Sequence, residues 1–209
     1  MAQYEEAAGR ERPLVAFDFD GTLTVRDSFT AFLRWRAGPI RFLCGLLRLT
    51  PAGFAYLIHK DRGRIKAAAA RVFLAGASQA EMEADARAFA DQVRPLFLRP
   101  DALATWADWK ARGAYVMIVT AAPSFVARPF AEALGADDLL GTELAYDAAG
   151  RATGAFSTPN CRGPEKVVRL RERFGPNARL AAAYGDTAGD REMLQIAEAP
   201  GYRVFTARP

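Results

Sequence analysis

Two carboxylates one residue apart, Asp18 and Asp20, close the run Val15-Ala16-Phe17-Asp18-Phe19-Asp20-Gly21-Thr22. On an extended strand residues i and i+2 share a face, so the two acids project together. Like charges this close resist shared ionisation unless a cation lies between them or one keeps its proton. One remedy is a divalent ion, of which Mg²⁺ suits carboxylates, carbonyls and water. The other is a protonated Asp20 beside an ionised Asp18, an acid next to a nucleophile. Three further polar signals stand at comparable places: Thr120 after Tyr115-Val116-Met117-Ile118-Val119, Lys166 just inside a helix opened by Gly163-Pro164, and the pair Asp186 and Asp190 after Leu180-Ala181-Ala182-Ala183-Tyr184. A D-x-D-G-T run can also be no more than a turn and a helix cap, and Thr187 with Asp190 can be a capping box. Four polar signals, three of them directly after apolar strands, point instead to a ligand site at the carboxyl ends of a parallel sheet.

The elements that must hold these groups alternate between strand and helix. Leu14–Phe17, Tyr115–Ala121 and Leu180–Tyr184 read as strands buried on both faces, and Tyr202–Phe205 as a last short one. Leu139–Tyr146 and Ala152–Phe156 flank a turn and read as paired short strands. Helices are expected from Pro123-Ser124, from Gly163 to Phe174, and from Asp190 to Ala197. This order predicts an α/β fold with a parallel sheet flanked by helices. Between the first and second strands every signal is helical. Asp27 or Ser28 caps a segment that Gly38-Pro39 breaks. Ile40–Leu49 and Ala52–Ile58 are apolar and split by Thr50-Pro51. Arg64–Leu74 follows, Ser78-x-x-Glu81 is a capping box for a helix to Val93, and Ala102–Arg112 carries Trp106 and Trp109, expected in the core or at a domain contact. The expected domains are therefore residues 1–25 and 101–209 as a core, with 26–100 an all-helical insertion.

Composition narrows the classes. A chain of 209 residues, half of them hydrophobic, can bury a sizeable core. Two cysteines, Cys44 and Cys161, make no disulfide framework, and the lone His59 makes no histidine metal site. The polar start, Met1–Arg12, reads as a mobile lead-in without the pattern of a signal peptide, so a cytoplasmic location is expected. The net charge of +4 is uneven: nine Arg and Lys fall between residues 30 and 72 against one acid, Asp61. A basic insertion on a mildly acidic body suggests an anionic partner. Residues 39–58 approach the length of a membrane span, but Arg41, Arg48 and Pro51 argue for a helical hairpin in the cap or helices on a membrane surface.

Taken in order, these signals resemble the haloacid dehalogenase-like superfamily of phosphatases. Asp18-Phe19-Asp20-Gly21-Thr22 matches its first motif, Thr120 its second, Lys166 its third, and Gly185-Asp186-Thr187-Ala188-Gly189-Asp190 its fourth. The helical insert after the first motif and Asn160-Cys161-x-Gly163-x-x-Lys166 look like the phosphoserine-phosphatase-like branch. The resemblance implies a Rossmann-like core and a substrate-selecting cap. It implies that Asp18 attacks phosphorus, that Asp20 serves as acid and then base, and that Thr120 and Lys166 bind the phosphoryl oxygens. Mg²⁺ would be held by Asp18, Asp186 and the Asp20 backbone carbonyl. Gly21, Thr22 and Ala121 would complete the cradle, Asp190 would orient Lys166, and Asp27 would stand near the substrate where related phosphoserine enzymes carry a Glu.

The basic, apolar insert adds a phosphorylated lipid headgroup to the candidate substrates, beside small phosphate esters, and peripheral contact with an anionic membrane at its inner face. A phosphate-accepting signalling module is the rival class. Its phosphoacceptor ends a later strand, and it needs no cap. A nucleic-acid or membrane-binding module on the same fold would not need Asp20, and no specific nucleic acid is expected.

Overall fold

The computed structural model describes residues 12–50 and 62–209. Residues 1–11 of the expected lead-in, the apolar stretch Ala52–Ile58 and His59 lie outside the described residues; Arg12, expected in the mobile lead-in, is instead held by the Gly113 and Ala114 carbonyls and by Asp137. A five-stranded parallel sheet runs in the order β3-β2-β1-β6-β7, with β1 Leu14–Phe17, β2 Tyr115–Pro123, β3 Asp138–Thr142, β6 Leu180–Gly185 and β7 Ala197–Tyr202. Phe17 sits level with Ile118 of β2 on one side and Tyr184 of β6 on the other. The residues that follow, Asp18, Val119-Thr120 and Gly185-Asp186, therefore emerge side by side at one edge.

Strand alternation splits the core in two. Val15, Phe17, Val116, Ile118 and Ala182 face one layer, while Ala16, Met117, Val119 and Ala183 face the other. Phe17 packs on Tyr184 at 4.5 Å and on Trp106 at 5.0 Å between ring centres. Trp109 donates its indole N–H to the Tyr184 hydroxyl at 2.9 Å, so both tryptophans belong to the core body.

The helical segment between β1 and β2 leaves and returns through a paired neck. Val25 N–H donates to Phe97 O, and Arg99 N–H donates to Leu23 O. Its helices are α1 Ser28–Arg48, α2 Arg62–Leu74 and α3 Gln79–Val93, followed by α4 Pro100–Ala111. Asp27 caps α1 by accepting from Thr30 N–H, and Gly38, at φ +72°, bends it just before Pro39. Ser78 and Glu81 form the reciprocal capping box that the sequence announces. An aromatic column of Phe19, Phe130, Phe89 and Phe32, with centres 5.3 to 6.2 Å apart, joins these helices to the turn carrying the acids.

Three expectations shift. The stretch Leu139–Tyr146 divides: Asp138–Thr142 joins the main sheet as β3 beside β2, and only β4 Leu144–Tyr146 pairs antiparallel with β5 Ala152–Phe156. β2 runs with apolar residues to its end and takes a parallel neighbour on its outer side, which the helix α5 Ser124–Ala133 crosses over to supply. The helix after Asp190 is short, α7 Arg191–Gln195, so the last strand is Ala197–Tyr202 rather than Tyr202–Phe205. Phe205 instead packs its ring on Tyr184. The β4–β5 hairpin supports α2: Gly154, at φ +76°, leaves room where a Cβ would stand 2.5 Å from the Arg71 Cα.

Candidate active site

Asp18 is the first residue past β1, its N–H fixed to Tyr184 O at 2.8 Å. The chain then turns sharply, with Gly21 at φ +86°. A Cβ on Gly21 would meet Asp186 Oδ2 at 2.3 Å, so the absent side chain is what lets Asp186 stand over the turn. Thr22 Oγ1 bridges Asp18 Oδ2 at 3.5 Å and Asp186 Oδ1 at 3.4 Å.

Lys166 enters on α6 Pro164–Phe174, which opens on Gly163 with proline at its first position. Its ammonium has three N–H groups. They donate to Asp18 Oδ1 at 2.6 Å, Asp190 Oδ1 at 2.7 Å and the Val119 carbonyl at 2.6 Å, with the side chain 1% exposed. Asp190 Oδ2 accepts from the N–H and hydroxyl of Thr187, so the capping box also aims the carboxylate at Lys166.

These contacts separate the acids. Burial pushes Asp18 up to about 6, with Lys166 restraining it. Burial, and then the Asp27 carboxylate, push Asp20 up to about 7. Asp20 Oδ1 accepts from Ser28 N–H at 2.8 Å, which ties it to the start of α1. Burial works against the Lys166 charge, but the Asp18 and Asp190 carboxylates outweigh it and raise its pKa. Burial would raise Asp190, yet Lys166 holds it below the usual carboxylate range. Both acids are raised, Asp20 further than Asp18, so of the two Asp20 keeps a proton more readily. That is the pattern of two acids tuned to different roles.

A cavity of about 380 Å³ opens above this floor. Asp18, Asp20, Asp27, Thr120, Ala121, Lys166 and Asp190 all border it. Thr120, 1% exposed, accepts from Ala122 N–H at 2.9 Å. Asp186 stands just beside the lining, in a group with Asp18 and Asp190 whose carboxylate oxygens lie within 4.8 Å of one another. Burial raises its pKa. The Asp20 side chain is not in that group, because it turns toward Ser28. The donor set fits a hard divalent ion: two carboxylates, Asp18 and Asp186, share a threonine hydroxyl, and of the two only Asp18 is ion-paired among the described residues, to Lys166. Both Asp190 oxygens are already engaged by Lys166 and Thr187, so Asp190 fits as a group that orients the lysine.

Asn160 and Arg162, from the stretch before Lys166 that carries the family resemblance, also border the cavity, and so does Lys66, which carries no sequence signal of its own. Lys66 looks like one more basic residue in an alanine-rich helix. The hint is that no acid lies four residues to either side of it. The far wall is apolar, built from Phe42, Leu46 and Leu49 of α1 and its end, and Ile65, Ala69 and Phe73 of α2. Among the described residues no helix is long and apolar enough to cross a membrane.

Residues 15–195 match the sequence pattern of haloacid dehalogenase-like hydrolases. The chain belongs to this hydrolase family. It is 59% identical over 201 residues to Protein CicA of Caulobacter vibrioides, covering 96% of this chain and 90% of that one. A protein of unknown function from Bordetella pertussis Tohama I has the same fold, with TM-score 0.75 and 25% identity over 91% of this chain and 89% of the other. So does phosphoserine phosphatase, solved with substrate bound (TM-score 0.63, 18% identity, covering 93% and 87%). It has also been solved as a phospho-aspartyl intermediate analogue (TM-score 0.59, 20% identity, covering 91% and 86%).

Proposed function

We propose that this hydrolase is a Mg²⁺-dependent phosphomonoesterase acting on an ester with an apolar portion, a phosphorylated lipid or a comparable metabolite. One observation carries the reading: a single cavity has the tuned acid pair and Lys166 at one end and an apolar wall at the other. The solved phospho-aspartyl analogue of a phosphatase with this fold supports the intermediate.

An oxygen of Asp18 attacks phosphorus, and the P–O bond to the alcohol breaks. Asp20 gives its proton to the departing alkoxide. It then accepts one from the water that cleaves the aspartyl-phosphate, releasing inorganic phosphate and restoring Asp18. Lys166 and the Thr120 hydroxyl hold phosphoryl oxygens, with backbone N–H groups of Gly21, Thr22 and Ala121 beside them. Asp18, Asp186 and the Asp20 carbonyl would hold Mg²⁺, whose charge offsets the repulsion between nucleophile and ester. Residues 26–100 serve as a cap that shields the reaction from water and shapes the alcohol side.

The test is turnover of a panel of phosphate esters running from short polar ones to lysolipid and glycerophospholipid phosphates, with Asp18→Asn as the control. Preference for the longer apolar esters, abolished by the substitution, is expected. Preference for short polar esters would remove the lipid reading, and turnover by Asp18→Asn would remove the nucleophile.

A second reading concerns location. Ile40, Leu43 and Leu47, 62 to 78% exposed, stand on the bent half of α1 among Arg41 and Arg48, and favour peripheral contact with the anionic inner face of a membrane. Cosedimentation with anionic vesicles at low salt, lost on substituting Leu43 and Leu47 by Asp, is the expected result. No sedimentation of the wild type would refute it.

A further inference from the structure

The paired register of β1 and β6 ends at Phe17 and Tyr184. Beyond it, the Gly21 turn and Asp186 must still keep a narrow gap, since a Cβ on Gly21 would strike the Asp186 carboxylate. Residues 203–207, which follow β7, tie the two sides of that gap together. Their first member is strained: Arg203, at φ +55°, is the one non-glycine residue with positive φ among the described residues. Such strain persists where surrounding contacts over-determine it, and it gathers at functional sites.

In this conformation Arg203 takes two consecutive carbonyls. Its N–H donates to Gly185 O at 2.8 Å and its Nε to Asp186 O at 2.7 Å. Phe205 then lays its ring on Tyr184, 5.2 Å between centres. Asp101, in the first turn of α4, accepts from the N–H groups of Thr206 and Ala207 at 2.7 and 2.9 Å. Arg99 closes the circuit. Its Nη1 donates to Ala207 O at 3.0 Å and its Nε to Gly21 O at 3.2 Å, while its own N–H is held by Leu23 O at 2.8 Å. Both guanidinium groups therefore bind backbone carbonyls on either side of the acids, and neither arginine borders the cavity. They fix where peptide units lie and place no charge against a substrate.

We propose that Arg203 and Arg99 are positioning residues for the metal site: through residues 203–207 they set the gap between the Gly21 turn and Asp186, and with it the affinity for a divalent ion. This rests on Asp18, Asp186 and the Asp20 carbonyl being the ligands. Mg²⁺ demands near-ideal octahedral geometry, so a carboxylate whose backbone drifts is a poorer ligand. Groups that orient ligands without touching the ion govern affinity for that reason.

Mn²⁺ takes the same oxygen donors. Titrated alone into the metal-free protein, it gives a Kd from the loss of its free-ion electron paramagnetic resonance signal, with no turnover involved. Arg203→Gly removes the side chain and also suits a positive φ, so it should stay folded yet weaken Mn²⁺ binding by about tenfold or more. Arg99→Met should weaken it in the same sense. Arg203→Lys, which keeps a cationic donor, should bind more tightly than Arg203→Gly. A thermal melt in chelator accompanies each titration, because a merely structural role would lower Tm and leave the Kd of the folded protein unchanged. A wild-type Kd in Arg203→Gly, with binding weakened in Asp186→Ala, would overturn the proposal and leave the metal reading standing. A wild type that holds no Mn²⁺, or that holds it as tightly after Asp186→Ala, would refute the metal reading and the proposal with it.

Discussion

Lys166→Met removes a cation that nothing else in the structure can replace. The side chain is 1% exposed and its three N–H groups are all in use. Methionine fills nearly the same space, so the change isolates the charge. It leaves the Asp18 and Asp190 carboxylates and the Val119 carbonyl without their shared donor. Removing one partner of a buried pair costs about 3–5 kcal/mol, and a chain of this size loses about 2–4 °C of Tm per kcal/mol. The expected drop is therefore about 6–20 °C. It should shrink at low pH, where protonation of Asp18 removes the uncompensated charge. Loss of one preorganised donor on the phosphoryl group costs about 10²–10³ in kcat, and protonation of the nucleophile adds to that. The assay is a thermal melt in chelator and in Mg²⁺, with p-nitrophenyl phosphate turnover beside it. A Tm within about 2 °C of wild type at neutral pH, with more than a tenth of kcat retained, would refute the idea that Lys166 offsets the charge of the floor.

The pH dependence of stability in chelator follows from Asp20. Its folded pKa of about 7 lies above its model-peptide value of 3.8, so the stability it contributes is complete below that value and is lost as pH rises through 7. Asp20→Asn, which can still accept from Ser28 N–H, should gain on wild type by about 2–3 kcal/mol between pH 5 and 8; a gap constant with pH would mean that the carboxyl is not perturbed. EDTA should abolish turnover and Mg²⁺ restore it, with Asp186→Ala needing at least tenfold more metal; unchanged activity in chelator would exclude the metal role. Gly21→Ala forces a side chain onto a backbone at φ +86° and into Asp186 Oδ2. It should lower stability by about 1–2 kcal/mol and raise the Mg²⁺ requirement; an unchanged Mg²⁺ titration would show that Asp186 has room to move.

What the sequence disclosed is the floor of the cavity. Asp18, Thr120 and Asp186 each follow an apolar run that can only be a buried strand, and a polar residue at such an end has few structural reasons to be there. Parallel strands in register then bring these positions together without further information. Lys166 was legible because Gly163-Pro164 fixes where its helix begins. The walls were not legible. Whether Phe42, Leu49 and Phe73 fill a core or line a hollow depends on how two helices meet, here with Gly45 admitting the Phe73 ring. No residue spacing announces that contact. Lys66 was hidden for the same reason, since its partner is a carbonyl 55 residues away.

The cavity's charges explain why the floor alone is an incomplete site. Four carboxylates on its border, Asp18, Asp20, Asp27 and Asp190, face three cations, Lys66, Arg162 and Lys166, with Asp186 close behind. A phosphate monoester dianion entering that field is not attracted unless charge is added or removed. On the proposed reading, Asp20 would remove one negative charge while it holds the proton it later donates, and a divalent ion at Asp18 and Asp186 would add two positive ones. On the proposed phosphatase reading, substrate binding, metal binding and protonation of the acid would be one coupled event.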